Sequence, residues 1–483
     1  MPVQVKRLVD DATFTEHLRQ LGIELPLLGA PAAAEHLGAP RVVGGRTVGN
    51  RLCVLPMEGW DATPDGRPTE LVARRWERFG ASGAKLVWGG EAVAVLPEAR
   101  ANPRQLTIGP TSIADLGTLR DRLERSHAAA TGGTDGLVVG LQLTDSGRWS
   151  RPVDAFEPRI AYRHPYLDER VGATDRHLLS DTMLDDLVAA FVAAAVVARE
   201  AGFDFVDVKH CHGYLLHELL TAHERSGPYG GSLEGRTRLL ARVVDGIRRD
   251  APGLDIGVRL SAFDLAPHRG GPDGIGESVH DPAAGPYRYA FGGDGTGTGI
   301  DLREVHEFCT LLTTLGVELV SITAGSPYYC PHVQRPAFFP PSDGYLAPRD
   351  PLVEVARLLA VTGTLSREHP RLAVVASGLT YLQEWFARVG GAAVADGTCS
   401  FVGFGRGVLS HPTMGLEALA GEVLDRRLLC RTFSDCTTAP RNGLVSGCYP
   451  LDPFYKAMPE RVTLTAAKRA AERARGGRRG SRT

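Results

Sequence analysis

Eight short apolar runs, each set off from the next by a longer intervening stretch, occupy the chain between residues 52 and 404. The runs fall at 52–55, 85–88, 137–143, 205–209, 256–260, 319–323, 373–376 and 401–404. Helical periodicity marks 69–79, 113–130, 182–201, 235–250, 302–315, 350–362 and 379–389. Strands that are apolar throughout must be covered on both faces, which requires parallel strands with helices packed against them. The spacing is fairly even, so the pattern predicts an α/β chain closed into a (β/α)8 TIM barrel rather than an open sheet. An open dinucleotide-binding sheet would carry a GxGxxG turn between a strand and a helix, and this chain lacks one.

The barrel is expected over residues 45–420, with additions at both ends. Residues 1–44 read as an N-terminal extension: a short helix around 11–21, then a Pro/Gly/Ala connection. The Gly/Pro-rich stretch at about 266–300, densest over 270–299, has no period and is expected to be a structureless insertion after the fifth strand, a candidate lid. Residues 421–483 read as a C-terminal extension, a helix followed by the frayed basic tail ERARGGRRGSRT at 472–483.

The 54 Lys+Arg against 56 Asp+Glu leave a net charge of −2, which argues against a general nucleic-acid binder. The basic tail alone does not reverse that expectation. Eight cysteines in 483 residues do not make a disulfide scaffold. The first residues show no apolar leader, and the longest apolar stretch, 187–198, is too short for a bilayer. A soluble cytoplasmic protein with no membrane partner is expected. Only five residues are lysine (Lys6, Lys85, Lys209, Lys456 and Lys468), so a lysine inside a motif stands out.

Barrels of this kind gather their chemistry where the strands end. Those ends carry Pro56-Met57-Glu58, Glu91-Ala92, Gln142, the run Lys209-His210-Cys211-His212-Gly213-Tyr214, Arg259, Ala324-Gly325, Ser377-Gly378 and Gly405-Arg406. With their flanks they read NRLCVLPM, GLQLTDSGR, GFDFVDVKHCHGYLLHELL, GPYGGSLEGRTRLL, VRLSAFD and VGFGRGVL. In that order they resemble the motifs of the Old Yellow Enzyme family of flavin oxidoreductases, over roughly residues 40–420. HGYL followed by YGGSLEGRTR is the most specific part of the match.

The resemblance implies an FMN-containing barrel, reduced by NADH or NADPH, whose flavin N5 passes hydride to the activated C=C of an enone, quinone or unsaturated thioester. It implies that Pro56 and Met57 line the flavin with their backbone, that Ala92 packs beside the ring, and that Gln142 meets its pyrimidine edge. Arg259 would stabilise the anionic reduced flavin. Ser377-Gly378 and Gly405-Arg406 would hold the phosphate, Arg406 with its fork. Taken singly, Gln142 and Arg259 also read as polar filling of the barrel mouth, and the glycines as ordinary turns.

The substrate-facing group departs from the family. A His-x-x-His or His-x-x-Asn pair is usual there, and Lys209 and His212 stand in those positions, followed by Tyr214 in the place of the proton donor. His210 should point to the opposite side of an extended segment. Lys209 can grip a substrate oxygen with His212, or pair with Asp207 or Glu91 and never meet substrate. Glu58 replaces a usual Thr or Cys; it lowers the flavin potential, pairs with Lys209, or turns to solvent. Trp60 falls where an aromatic often covers the substrate. These departures leave open an oxidative enzyme on a specialised substrate, or a flavin-binding barrel without turnover.

The segment after the sixth strand, GSPYYCPHVQRPAFFPPSDGY, offers His332 and Arg335 as substrate contacts over the mouth, the arginine for an anionic group. It reads equally as a packed connection or a subunit contact, which leaves room for a homo-oligomer. Longer family members carry an iron–sulfur site of spacing C-x2-C-x3-C-x11-C. Here Cys430, Cys436 and Cys448 keep only the last interval, and Thr432 stands where a ligand should be. A [4Fe–4S] cluster needs four thiolates and is not expected, nor is any other metal. A remnant packed under the barrel is expected instead.

Overall fold

The computed structural model describes residues 2–477. Eight parallel strands close a barrel: β1 (Leu52–Val54), β2 (Leu86–Val87), β3 (Val138–Thr144), β4 (Phe205–Val208), β5 (Asp255–Phe263), β6 (Leu319–Ala324), β7 (Ala373–Ala376) and β8 (Phe401–Phe404). They follow one another in sequence order around the sheet, β8 pairs with β1, and β2 pairs with β3 to complete the circle. A short strand, Ala92–Ala94, prolongs β2 beyond two glycines and pairs Ala92 with Gln142.

The strands are buried on both faces, and the period of two sorts their side chains. Cys53, Leu86, Val138, Phe205, Leu319, Ala373, Val375 and Phe401 pack inside the barrel, with the Trp88 ring 5.4 Å from that of Phe205. Their neighbours Leu52, Val54, Val87, Val139, Val206, Val320 and Val374 face outward into the layer under the helices. A hairpin, Arg41–Val43 with Arg46–Val48, lies before β1, and its Val48 closes the interior cluster.

Three expectations about the additions change. The connection at the N-terminus contains a second helix, Ala30–Gly38, which lies against Phe386–Ala395 where Gly391 leaves no room for a side chain. The insertion is not structureless: His268–Gly270 and Gly276–Ser278 form a hairpin, and Tyr287 and Phe291 beyond it are buried. Aromatic anchors order a segment that has no period of its own. The C-terminal extension does not pack beneath the barrel; Cys436, Thr437, Pro440 and Arg441 reach the mouth. Its last helix, Glu460–Gly477, takes in the first half of the basic tail, and residues 478–483 lie outside the described residues. Among the described residues no helix is long and apolar enough to cross a membrane.

Candidate active site

Strand parity decides which side chains reach the mouth. Phe205 points inward, so Asp207 and Lys209 do too, and the same count leads from Val138 to Gln142, from Val375 to Ser377, and from Phe401 to Gly403 and Gly405. His210 goes the other way: its Nδ1 donates to Val208 O at 2.8 Å and its ring lies 5.5 Å from Phe308 under a barrel helix. It is no substitute for the missing first histidine.

These inward residues line a cavity of about 1160 Å³, counted to its open mouth. At one end stand Lys209, His212, Tyr214, Glu58 and Trp60. Lys209 Nζ is 3.6 Å from Glu58 Oε1 and 3.8 Å from the centre of the Tyr214 ring. The pairing of this buried lysine is therefore with Glu58; Asp207 and Glu91 are engaged elsewhere. Tyr214 Oη meets Tyr328 Oη at 3.0 Å. Burial, and then the nearby Glu58 carboxylate, push the Tyr214 hydroxyl well above its ordinary pKa, so the phenol keeps its proton. His212 is held neutral by burial and by the charges of Arg259 and Lys209. Its Nε2 lies 3.2 Å from Gln334 Nε2, the amide donating to the imidazole.

His212 and Gly213 have φ of 67° and 74°, and Trp60 has 54°. A left-handed histidine costs roughly 1–3 kcal/mol, and such strain persists where the surroundings enforce it. Here the turn lets the chain leave β4 so that Lys209, His212 and Tyr214 all face one space.

At the floor, Asp207 is fully buried and multiply bonded. Gln142 Nε2 donates to it at 2.5 Å, Trp88 Nε1 at 2.7 Å, and the Arg259 backbone N–H at 2.7 Å. This fixes the Gln142 amide and leaves its oxygen as an acceptor for the cavity. Beside the reacting end, Arg75 bridges Asp61 and Glu91 in a buried cluster. Burial, opposed by Arg75 and reinforced by the second carboxylate of Asp61, raises Glu91 to a pKa of about 7.

The far end of the cavity is cationic. Arg406 is 9% exposed, donates to Pro336 O at 3.0 Å, and has a buried Nη1 with no partner. Arg335 stands near it, and Ser377, Gly378, Gly403 and Gly405 line the same cavity. A Cβ at Gly405 would come within 2.9 Å of Met57 Sδ, so any side chain there would have to displace the methionine. The buried Nε of Arg259 is likewise unpartnered. Unsatisfied guanidinium donors over glycine backbone, joined by a cavity to a fixed amide, fit the phosphate and ring of a flavin mononucleotide.

Two residues singled out from sequence do not line the cavity. His332 binds the Tyr345 hydroxyl through Nδ1 at 2.8 Å and lies against His268, so it ties the loop to the insertion hairpin. Ala92 is buried in its strand, where its carbonyl accepts from Gln105 Nε2 at 2.9 Å. Tyr328, Gln334 and the residues of the C-terminal extension were not anticipated. Tyr328 and Gln334 sit in a loop without periodicity, so the sequence offered no way to tell which side chains turn inward. Among the described residues no group of three His, Cys, Asp or Glu could hold a metal ion, and the eight cysteines are free thiols.

A sequence profile of the NADH:flavin oxidoreductase / NADH oxidase family matches residues 36–271. The NADPH dehydrogenase of Halalkalibacterium halodurans is 30% identical over 233 residues, which cover 47% of this chain and 63% of that enzyme. The chain thus spans less than two thirds of that relative's length. The fold resembles that of 2-naphthoyl-CoA reductase in complex with 2-naphthoyl-CoA, with a TM-score of 0.65 at 16% identity, over 89% of this chain and 58% of that one. The old yellow enzyme homologue from Zymomonas mobilis superposes with a TM-score of 0.56 at 19% identity, over 82% of this chain and 96% of that one. The profile over residues 36–271 and the matching relative make this chain similar to the NADH:flavin oxidoreductase / NADH oxidase family.

Proposed function

We propose that the protein is an FMN-dependent NAD(P)H oxidoreductase that reduces an activated C=C bond next to a carbonyl. The observation that carries this is one cavity with Lys209, His212 and Tyr214 at one end and the unpartnered Nη1 of Arg406 at the other. Pro56, Met57, Gln142 and Arg259 would hold the flavin ring between those ends, and Ser377, Gly378, Gly405 and Arg406 its phosphate. FMN, when bound, supplies two-electron transfer from the nicotinamide to the substrate.

Lys209 donates from Nζ to the substrate's carbonyl oxygen and stabilises negative charge as it develops there. His212, neutral and oriented by Gln334, offers a second donor to the same oxygen. Tyr214 gives its proton from Oη to the α-carbon. Its raised pKa means it protonates only a strongly basic centre such as a developing carbanion, which keeps the proton in place until then. The phenolate left behind is held by the Tyr328 hydroxyl at 3.0 Å and by the Lys209 ammonium over the ring. Trp60 borders the substrate space.

The Lys209–Glu58 pair supports a second reading in the same class, oxidation of a specialised substrate whose proton Glu58 accepts. Anaerobic titration separates the two. The purified protein should show a flavin spectrum that bleaches with NADH or NADPH and recovers with an enone or quinone. A flavin that bleaches and is reoxidised by none of these turns the assignment toward oxidation, and absence of flavin uptake rejects both readings.

A further inference from the structure

The C-terminal extension meets the cationic end of the cavity through a defined set of hydrogen bonds. Arg335 donates from Nη1 to Thr437 Oγ1 and from Nη2 to Ser434 Oγ at 3.2 Å. Ser434 Oγ itself donates to Phe339 O at 2.6 Å, so its proton is spent and its lone pair is free for the guanidinium. Thr432 Oγ1 accepts from Phe338 N–H at 3.1 Å. Thr432 and Ser434 have φ of 54° and 61°, left-handed values that non-glycine residues rarely hold. Two strained positions that spend their hydroxyls on the 335–339 loop make a support whose product is the placement of one guanidinium.

That guanidinium has no counter-ion. Among the described residues neither Arg335 nor Arg406 makes an ion pair with Asp or Glu, and Asp343, whose charge Arg335 feels, is bound to Arg441. Burial, followed by repulsion from Arg406, depresses the Arg335 pKa to about 9, which still leaves it charged at neutral pH. Two adjoining cations in a partly buried wall are costly unless an anion completes them, and a phosphate offers oxygens to both forks.

We propose that Arg335, positioned by Ser434 and Thr437, grips one phosphate dianion together with Arg406, and that the C-terminal extension is a clasp held on the barrel by that phosphate. Taking the phosphate to be that of FMN rests on the function proposed above. A phosphate on the substrate or on the nicotinamide nucleotide would have the same chemistry, and the test separates FMN from such a second phosphate-bearing ligand.

The full-length protein, freed of flavin, is titrated with FMN, riboflavin and inorganic phosphate while flavin fluorescence and hydrogen exchange of residues 430–441 are followed. Loss of a charge-assisted hydrogen bond in Arg335→Gln should weaken FMN about tenfold or more and leave riboflavin unchanged. FMN, and not riboflavin, should slow exchange in the clasp. The double variant Ser434→Ala with Thr437→Val should reproduce part of both effects with both arginines present, which covers the case of a misfolded Arg335→Gln. Unchanged FMN affinity, with inorganic phosphate binding to the FMN-loaded protein in a manner that Arg335→Gln abolishes, assigns the grip to a second phosphate-bearing ligand. A wild-type chain that takes up neither flavin sinks the flavin assignment, and the phosphate titration then decides the grip alone. Identical FMN and phosphate affinities and identical exchange in wild type and both variants overturn it.

Discussion

The two ends of the cavity hold positive charge in opposite ways. At the reacting end Lys209 Nζ lies 3.6 Å from Glu58 Oε1, so the cation has its counter-ion before any ligand arrives. At the far end Arg335 and Arg406 face the cavity without a carboxylate, and a buried Nη1 has no acceptor. A self-neutralised couple can hold or move a proton on its own. An uncompensated pair of guanidiniums is incomplete until an anion arrives. On the proposed function, the difference separates where binding energy is gained from where chemistry is done, and each end can be broken separately.

The largest expected effect is at the reacting end. Tyr214→Phe removes the proposed proton donor and should slow reoxidation of the reduced protein by its substrate about 100-fold or more, leaving reduction by NAD(P)H unchanged. Stopped-flow measurement of the two half-reactions checks this; an equal fall in both would move Tyr214 from chemistry to packing. Lys209→Met should slow the same half-reaction about 10- to 100-fold by removing a donor to the substrate oxygen. It also strands Glu58 beside buried groups, so adding Glu58→Gln should restore melting temperature without restoring rate, a split that thermal scans alongside kinetics would show.

At the far end, Arg406→Gln should weaken FMN about tenfold or more while riboflavin affinity holds, as fluorescence titration would read. Turnover of whatever flavin stays bound should be little altered, because the arginine stands at the opposite end from Tyr214 and Lys209.

The smallest effect concerns the Asp61–Arg75–Glu91 cluster beside the reacting end. Burial raises Glu91 to about 7 from an ordinary carboxylate value near 4.5. A carboxyl with a raised folded pKa contributes stability that is fully present below about 4.5 and is lost as pH rises through about 7. Glu91→Gln mimics the protonated form, so its melting temperature should match wild type near pH 5 and exceed it above pH 7, by on the order of 1 kcal/mol in stability. A constant offset across that range would show that Glu91 stays ionised throughout.

Much of this was legible in one dimension. All eight barrel strands were read within a few residues of their observed bounds, because fully apolar runs of strand length have few other uses. Parity along β4 also told that His210 and Lys209 diverge, since the period of two survives folding. Illegible were Ala30–Gly38, hidden by proline and glycine, and the insertion hairpin, set by contacts rather than period. The position of the C-terminal extension differs from the sequence-based expectation because hydroxyl contacts such as Arg335 to Thr437 leave no pattern in sequence.

The order and burial of the strands, and the residues at their ends, were determined by the sequence itself, through local apolar pattern and the spacing it imposes. The tertiary structure alone decided the choice among Asp207, Glu91 and Glu58 as the partner of Lys209. It also decided that His332 serves the loop, and that residues 430–441 complete the cavity. The physical reason is common to all three. Burial and hydrogen bonding fix polar partners across hundreds of residues of chain, and which partner wins depends on which side chains are already engaged: Asp207 by Trp88 and Gln142, Glu91 by Arg75.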